Sequence, residues 1–531
     1  MRFNKGLFFV LLGAAVAVTL FQRAFPSQDG PLHLYYADVL ANLLRGSGAY
    51  SHAFEIKHLF PPYAFEPYLL VALSALLPPL VAEKVVVALA IVGFALGFRY
   101  LVHAIDPGNE LIPLAAVPLA TNKLLYMGFY NYSLGVAAAF FAMGFWLRHY
   151  DRLTPRRTAG FLALILLLVS MHPVALFIAL MFVALHLTLV LWGRVRAARG
   201  AVLERVRTAL TQSARAVACA LVSASTLLWL LAFRSAGEQS GSTFHEPPRI
   251  LQLLKLNTVS PFTSGAYRGV LALMVGILVL GAAARVWKAR RTLTAPEWAA
   301  PAMALACAVA FVAVPWEVNG RGGAHFPDRF PIFAIVLAAA TAAGLPRAPI
   351  SQKRWTALAC LVVMVTLGWQ AMLKQRVLND LRPVYESPVP RRALTAALVA
   401  SIPMDERNRT AYNYLPDYWA AAHYIRRAHA NFLNAAWLDA PIMMLKPRVE
   451  GRCSYSDAFP MLQCLSAGTS VAPDLLLAAD DGADDSPAVR LARSLGMEPR
   501  PFASPLLRLF ARPEVLPPAS AVLRKPGPGP R

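Results

Sequence analysis

Asp29 stands in Pro26-Ser27-Gln28-Asp29-Gly30-Pro31-Leu32-His33, a polar segment that follows an apolar run from Gly6 to Leu20. A carboxylate there can cap the helix that Pro31 opens, or make an Asp-Gly turn. It can also serve as an acid or base at a membrane surface, facing a lipid-linked substrate. His33, one helical turn later, can orient Asp29 or share a divalent metal with it; the plainer reading is an interfacial histidine without a ligand role.

Further polar clusters could bind an anion. Glu55-Ile56-Lys57-His58 precedes Pro61-Pro62-Tyr63-Ala64-Phe65-Glu66, and Lys57 or His58 could meet a phosphate near the headgroup plane. Asn131 enters an apolar span, where an unpaired amide is costly. His172 before Pro173 is an intramembrane histidine, a site candidate by default. The densest late run is Glu317 to Arg329, with Arg321, His325 and Arg329 among flexible glycines. Asp328 and Arg329 could pair with each other, but Arg329 beside an outer cavity suits bidentate phosphate contact. No zinc spacing, P-loop, dinucleotide fingerprint or serine elbow occurs, which argues against a self-powered ATP pump and a dehydrogenase.

The elements that carry these residues are membrane helices. Apolar residues make up 57% of the chain and charged residues 15%, and mean hydropathy is +0.49, whereas soluble domains are about a quarter charged. Apolar segments lie near 6–22, 83–104, 132–147, 174–192, 214–233, 268–288, 298–315, 331–345 and 355–372, with weaker ones near 63–77, 111–126 and 159–171. These predict an all-α polytopic membrane protein with about eleven crossings. Segment 63–77, bounded by Pro61-Pro62 and Pro78-Pro79, reads as re-entrant or interfacial. Residues 31–44 read as a helix lying on the membrane interface. Segment 159–171 is too short to span, which sets the turn at His172-Pro173 below the bilayer surface, beside a polar cavity.

The net charge of +22 lies in clusters between apolar runs, which speaks for anionic lipid headgroups as partners and against nucleic acid. Arg148 to Arg157, Arg194 to Arg207, Lys288 to Arg291 and Arg347 to Arg354 are expected on the cytoplasmic side, together with the N-terminus. The loops holding Asp29, Lys57, Asn131, His172 and Arg329 then face outward, as does everything after 372. Residues 1–372 form the membrane domain. Residues 373–512 suggest a small extracytoplasmic α/β domain, with a helix over Asp417 to Ala430 and strands at Leu475 to Ala479 and Leu506 to Phe510. Residues 513–531 form a Pro-rich disordered tail. Cys453 and Cys464 could form a disulfide or stay free thiols.

The order of these features resembles the GT-C superfamily of membrane glycosyltransferases: a first span, an outer loop with an early acid (Asp29), an interfacial helix, a Pro-Pro segment (Pro61-Pro62), short paired helices and an outer C-terminal domain. It looks closest to a poorly characterised bacterial branch. The resemblance implies a polyprenyl-phosphate-linked sugar donor, with Asp29 as general base for the acceptor hydroxyl or as metal ligand. Family members often carry paired acids at that point, whereas here Gly30 follows Asp29; Asp38 and Glu55 are the candidates for a second acid. It also implies a multi-pass protein of the bacterial inner membrane. Two other readings are a transporter or flippase for lipid-linked substrates and a non-catalytic assembly factor for surface glycans. Transport predicts inverted repeats, and none is visible.

Overall fold

Apolar runs of this length leave the backbone one solution in lipid, the helix, because every N–H and C=O must find its partner within the segment. The computed structural model describes residues 2–48, 50–51, 54–235, 249–315, 325–345, 349–386, 395–400, 426–427, 431–432, 445–447, 473–479, 485–500 and 508–515. The first elements are α1 (Arg2–Leu20), α2 (Gly30–Leu44), β1 (Phe54–Ile56), α3 (Phe65–Ser74) and α4 (Pro79–Ile105). A 3-10 turn at Ile112–Ala115 leads into α5 (Ala116–Ala120) and α6 (Lys123–Tyr126). Then come α7 (Tyr130–His149), α8 (Pro155–Met171), α9 (Pro173–Ala197), α10 (Val202–Ser235) and α11 (Arg249–Leu254). The bundle ends with α12 (Gly265–Ala289), α13 (Ala299–Ala313), α14 (Pro331–Ala342) and α15 (Pro349–Glu386). Beyond it lie β2 (Thr395–Ala400), β3 (Asn431–Phe432), β4 (Leu445–Pro447), β5 (Leu475–Ala479), α16 (Pro487–Ser494), β6 (Glu498–Arg500) and β7 (Arg508–Ala511).

Among the described residues, five helices are long and apolar enough to cross a membrane: Pro79–Ile105, Pro173–Ala197, Gly265–Ala289, Pro296–Ala313 and Arg354–Asn379. The chain is a multi-pass membrane protein. Three apolar segments differ from their sequence-based outlines. Segment 63–77 is a helix of only 10 residues, about 15 Å long at 1.5 Å per residue, far short of a crossing. Segment 111–126 breaks into three short pieces, since Pro113, Pro118 and the Asn122 cap each interrupt it. The helix expected over 159–171 begins earlier, at Pro155, and has 17 residues. Its first turn carries Arg156 and Arg157, which hydropathy discounts, but the Thr154 hydroxyl caps it by accepting from the Arg157 N–H and proline suits the first position. Shortness of α8 therefore does not set the depth of the His172 turn.

The chain forms two compact units. The first comprises Met1–Gln22, Phe60–Glu66 and Lys84–Ala371. Close helix contact in it depends on small residues, as membrane bundles require: a Cβ at Gly97 in α4 would lie 2.7 Å from the Ala137 carbonyl oxygen of α7. Because α7, α8 and α9 run back and forth, the unit has two chemically distinct ends. One end gathers the start of α7, the turn between α8 and α9, and the start of α14. The other gathers the basic stretches 148–157, 194–207 and 285–291. Arg194 bonds the Ser213 hydroxyl at 2.6 Å, and Arg285 bonds the Thr341 carbonyl at 2.9 Å. There too Arg99 grips Glu110 with two bonds, of 3.1 and 2.7 Å.

The second unit comprises Arg23–Leu59, Pro67–Glu83 and Met372–Arg531. Its larger sheet runs in the order β3-β2-β5-β7-β6, with β2 parallel to β3 and β5 and β7 antiparallel to β5 and β6. Leu476 and Ala478 alternate on one face of β5 and pack on Ala488, Val489, Leu491 and Ala492 of α16. A second pairing joins β1 to β4, with Glu55 opposite Lys446. It ties the first loop to the C-terminal part of the chain. The helix expected over Asp417 to Ala430 and the Cys453–Cys464 pair lie largely or wholly outside the described residues.

Candidate functional site

The polar residues at the non-basic end of the first unit are held by unusually specific bonds. Asn122 caps α6, its side-chain oxygen accepting from the Leu124 and Leu125 N–H groups at 3.0 and 3.3 Å, and so presents Lys123. Gly128 then turns with φ +86°, a conformation open mainly to glycine, and α7 starts at Tyr130. Asn131 is buried in the first turn of α7. Its oxygen accepts from the Glu66 N–H at 3.0 Å and its amide donates to the Tyr63 carbonyl at 2.9 Å. An amide buried in a span is matched here by the backbone of the Pro61-Pro62 segment, so its first role is to pin that turn.

Tyr132, the next residue, points to the late loop. Its hydroxyl donates to the Arg329 carbonyl at 2.5 Å, and its ring meets that of His172 edge-on at 5.1 Å. His172 lies between α8 and α9, where its Nδ1 accepts the Val174 N–H at 3.1 Å. That bond requires a bare Nδ1, so the neutral ring carries its proton on Nε2. Gly135 makes room for it: a Cβ there would stand 3.1 Å from the His172 Cβ. The Tyr63 ring completes the wall, 5.3 Å from His172.

Arg329 itself is buried, 7% exposed. Its guanidinium lies over the Phe129 ring at 5.5 Å, and its Nε has no hydrogen-bond partner among the described residues. Burial draws its pKa down, with Tyr63, Tyr132 and Asp328 acting the other way. The plainer alternative, a direct Asp328–Arg329 ion pair, is not seen among the described residues. Asp328 instead takes Lys123 Nζ at 3.4 Å and His325 Nδ1 at 3.1 Å on the same oxygen. Burial alone would raise the Asp328 pKa, but Lys123 and His325 outweigh it and hold the carboxyl below its usual range. The structure therefore brings Asn131, His172, His325 and Arg329 to one end of one unit. Arg321 lies outside the described residues. Lys123, Tyr132, Tyr63 and Glu66 complete the group without having been singled out from sequence. Of these, Lys123 carried a signal, a lone cation inside an apolar stretch.

Asp29, His33, Lys57 and His58 belong to the second unit. Asp29 stands at the N-terminus of α2, yet its side chain does not cap the helix. It accepts from the Gln28 amide at 3.1 Å instead. Burial raises the carboxyl to about 6, against the lowering effects of His33 and Gln28. A carboxylate with a pKa near neutrality is suited to proton transfer. The preceding residue is fixed by the Ser27 hydroxyl, which donates to buried Glu83 at 3.0 Å. Of the candidates for a second acid, Asp38 accepts from the Tyr50 hydroxyl at 3.0 Å and from Asn42 at 3.3 Å, and Glu55 sits in β1. Asp38 and Tyr50 also interact with Arg426 from the C-terminal part. Lys57 is exposed and His58 half-buried; burial and Lys57 lower the His58 pKa. No group of three or more His, Cys, Asp or Glu side chains comes together among the described residues. Asp29 and His33 alone are a poor donor set for a metal.

The fold and this end of the bundle define a helical membrane protein with a buried, cation-bearing polar site. No family model and no curated protein matches the chain. Two solved structures are similar in fold. One is ArnT from Cupriavidus metallidurans in the apo state, at 12% identity and a TM-score of 0.49, covering 96% of this chain and 98% of that one. The other is the arabinofuranosyltransferase AftD from Mycobacteria, at 14% identity and a TM-score of 0.49, covering 96% of this chain and 40% of that one.

Proposed function

We propose that this protein is a membrane glycosyltransferase that moves a sugar from a polyprenyl-phosphate-linked donor to an extracytoplasmic acceptor. The observation that carries this reading is Arg329: a buried guanidinium whose Nε has no partner among the described residues, at the end of a lipid-solvated bundle opposite the basic clusters. A buried guanidinium nitrogen without a hydrogen-bond partner is costly unless a ligand supplies one, and the phosphate of a lipid-linked donor lies at headgroup depth. With the basic clusters cytoplasmic, this end faces outward, in keeping with a bacterial inner membrane and a cytoplasmic N-terminus. About eleven crossings, the number read from the apolar segments of the sequence, is part of this proposal.

Two roles follow, a base and a phosphate-binding cation, and each rests on the chemistry of its own residue. The Asp29 carboxylate takes the proton from the acceptor hydroxyl as that oxygen attacks the anomeric carbon. The bond between the anomeric carbon and the phosphate oxygen breaks, and the electron pair leaves on the polyprenyl phosphate. Arg329, with Lys123 behind Asp328, offsets the growing charge on that phosphate. The order of features resembling GT-C enzymes supports the same assignment. The test is binding of undecaprenyl phosphate to the detergent-purified full chain. Arg329→Gln should weaken it at least about tenfold, the value of one charged hydrogen bond; unchanged affinity would remove the reading's support.

A further inference from the structure

Asp328 has a role that phosphate binding does not use. It is 2% exposed, and both of its bonds, from Lys123 and His325, fall on Oδ2. Its other oxygen, Oδ1, is buried with no hydrogen-bond partner among the described residues. An ionised carboxylate offers about four lone-pair sites, so half of its accepting capacity stands idle. A bare buried acceptor of this kind is destabilising, and more so when charged. Such groups are few in folded proteins, and each calls for an explanation such as strain, a catalytic role or a bound species.

The surroundings say what would bind. Asp328 shares one 3-10 turn, Pro327–Arg329, with the arginine whose Nε is also unmatched. The turn is entered through His325 at φ +58°, a left-handed conformation rare outside glycine. From that position the His325 imidazole meets Oδ2. Phe129 borders both residues, 6.1 Å from the His325 ring and 5.5 Å from the guanidinium. An unmatched donor and an unmatched acceptor on successive residues suit a ligand that carries an anionic group and a hydroxyl close together. A sugar phosphate has that pattern.

We propose that Asp328 reads the sugar: Oδ1 accepts a hydrogen bond from a hydroxyl of the glycosyl unit whose phosphate Arg329 holds. This rests on the phosphate reading above and names what that site recognises. Asp328 is a specificity residue rather than a second base. Lys123 and His325 keep it ionised and weakly basic, a permanent acceptor, whereas Asp29 with its carboxyl at about 6 is the stronger base.

The experiment compares lipids on the full chain in detergent. The probes are bare undecaprenyl phosphate and the same lipid carrying a hexose, an aminohexose or a pentose, read by thermal-shift titration. Wild type should bind at least one glycosylated lipid about tenfold or more tightly than the bare lipid, the worth of a hydrogen bond to a charged group. Asp328→Asn should abolish that gain without weakening the bare lipid. If the single variant does not fold, Lys123→Met with Asp328→Asn removes both charges together; each glycosylated lipid is then compared with the bare lipid on that same variant, and the gain should again be lost. Equal affinity of wild type for all four lipids, or a gain retained in either variant, overturns the proposal while leaving the phosphate reading intact. Failure of the bare lipid to bind at all, with Arg329→Gln indistinguishable from wild type, overturns both.

Discussion

The Tyr132 hydroxyl donates to the backbone carbonyl of Arg329 at 2.5 Å across 197 residues of sequence. This bond fastens the late loop to the first turn of α7 and sets where the guanidinium emerges. Tyr132→Phe keeps the ring against His172 but leaves the carbonyl unmatched. The expected destabilisation is about 1–3 kcal/mol, seen as a lower melting temperature. Undecaprenyl phosphate should also bind several-fold more weakly, although the variant residue need not touch the lipid.

Asn131 holds the Tyr63–Glu66 turn with one donor and one acceptor. Asn131→Asp keeps the acceptor, loses the donor and adds a carboxylate beside buried Glu66. Asn131→Ala loses both bonds, at about 1–3 kcal/mol for each backbone group left bare. Both variants should melt earlier than wild type and become sensitive to protease at the Pro61-Pro62 segment. Equal melting temperatures for all three would mean that the amide does not pin the turn.

Lys123→Met removes a partner of a buried carboxylate. Breaking a buried pair from one side costs about 3–5 kcal/mol, and the double variant Lys123→Met with Asp328→Asn should recover part of that loss. A double-mutant cycle on melting temperature measures the coupling. Additive effects would show that the pair contributes nothing to the fold.

The pH dependence follows from Asp29. Its carboxyl is raised to about 6, and a base must be ionised to work. Turnover should therefore rise with pH, reach half its plateau near pH 6 and fall about tenfold per unit below that. His33 lowers the Asp29 pKa, so His33→Ala should move the acid limb upward. For stability the sign is opposite. A raised carboxyl binds its proton more tightly in the folded state, so this group favours folding at low pH. That contribution is lost as pH rises from the ordinary carboxyl value of 3.8 to about 6.

Much of this arrangement is legible locally. Pro31 announces α2, which runs from Gly30 to Leu44, and His172-Pro173 marks the start of α9, where the histidine indeed turns inward. The paired contacts are not legible, because their partners are far apart in sequence: Tyr132 with Arg329, Lys123 with Asp328, Asn131 with Glu66. Nothing in composition or periodicity specifies which helix end meets which loop. The capping reading of Asp29 has a local rationale too, but the side chain turns to Gln28. The α8 boundary was displaced because hydropathy cannot see a capped, basic first turn.

The central claim is that Asp29 drives sugar transfer. Its most direct test is a single-turnover assay with purified wild type and Asp29→Asn, each given a glycosylated undecaprenyl phosphate and cell-envelope acceptor, following release of undecaprenyl phosphate. Wild type should transfer, and Asp29→Asn should bind the donor with unchanged affinity yet transfer at least about a hundredfold more slowly, the low end of what a general base supplies. Transfer by Asp29→Asn at the wild-type rate would contradict the account.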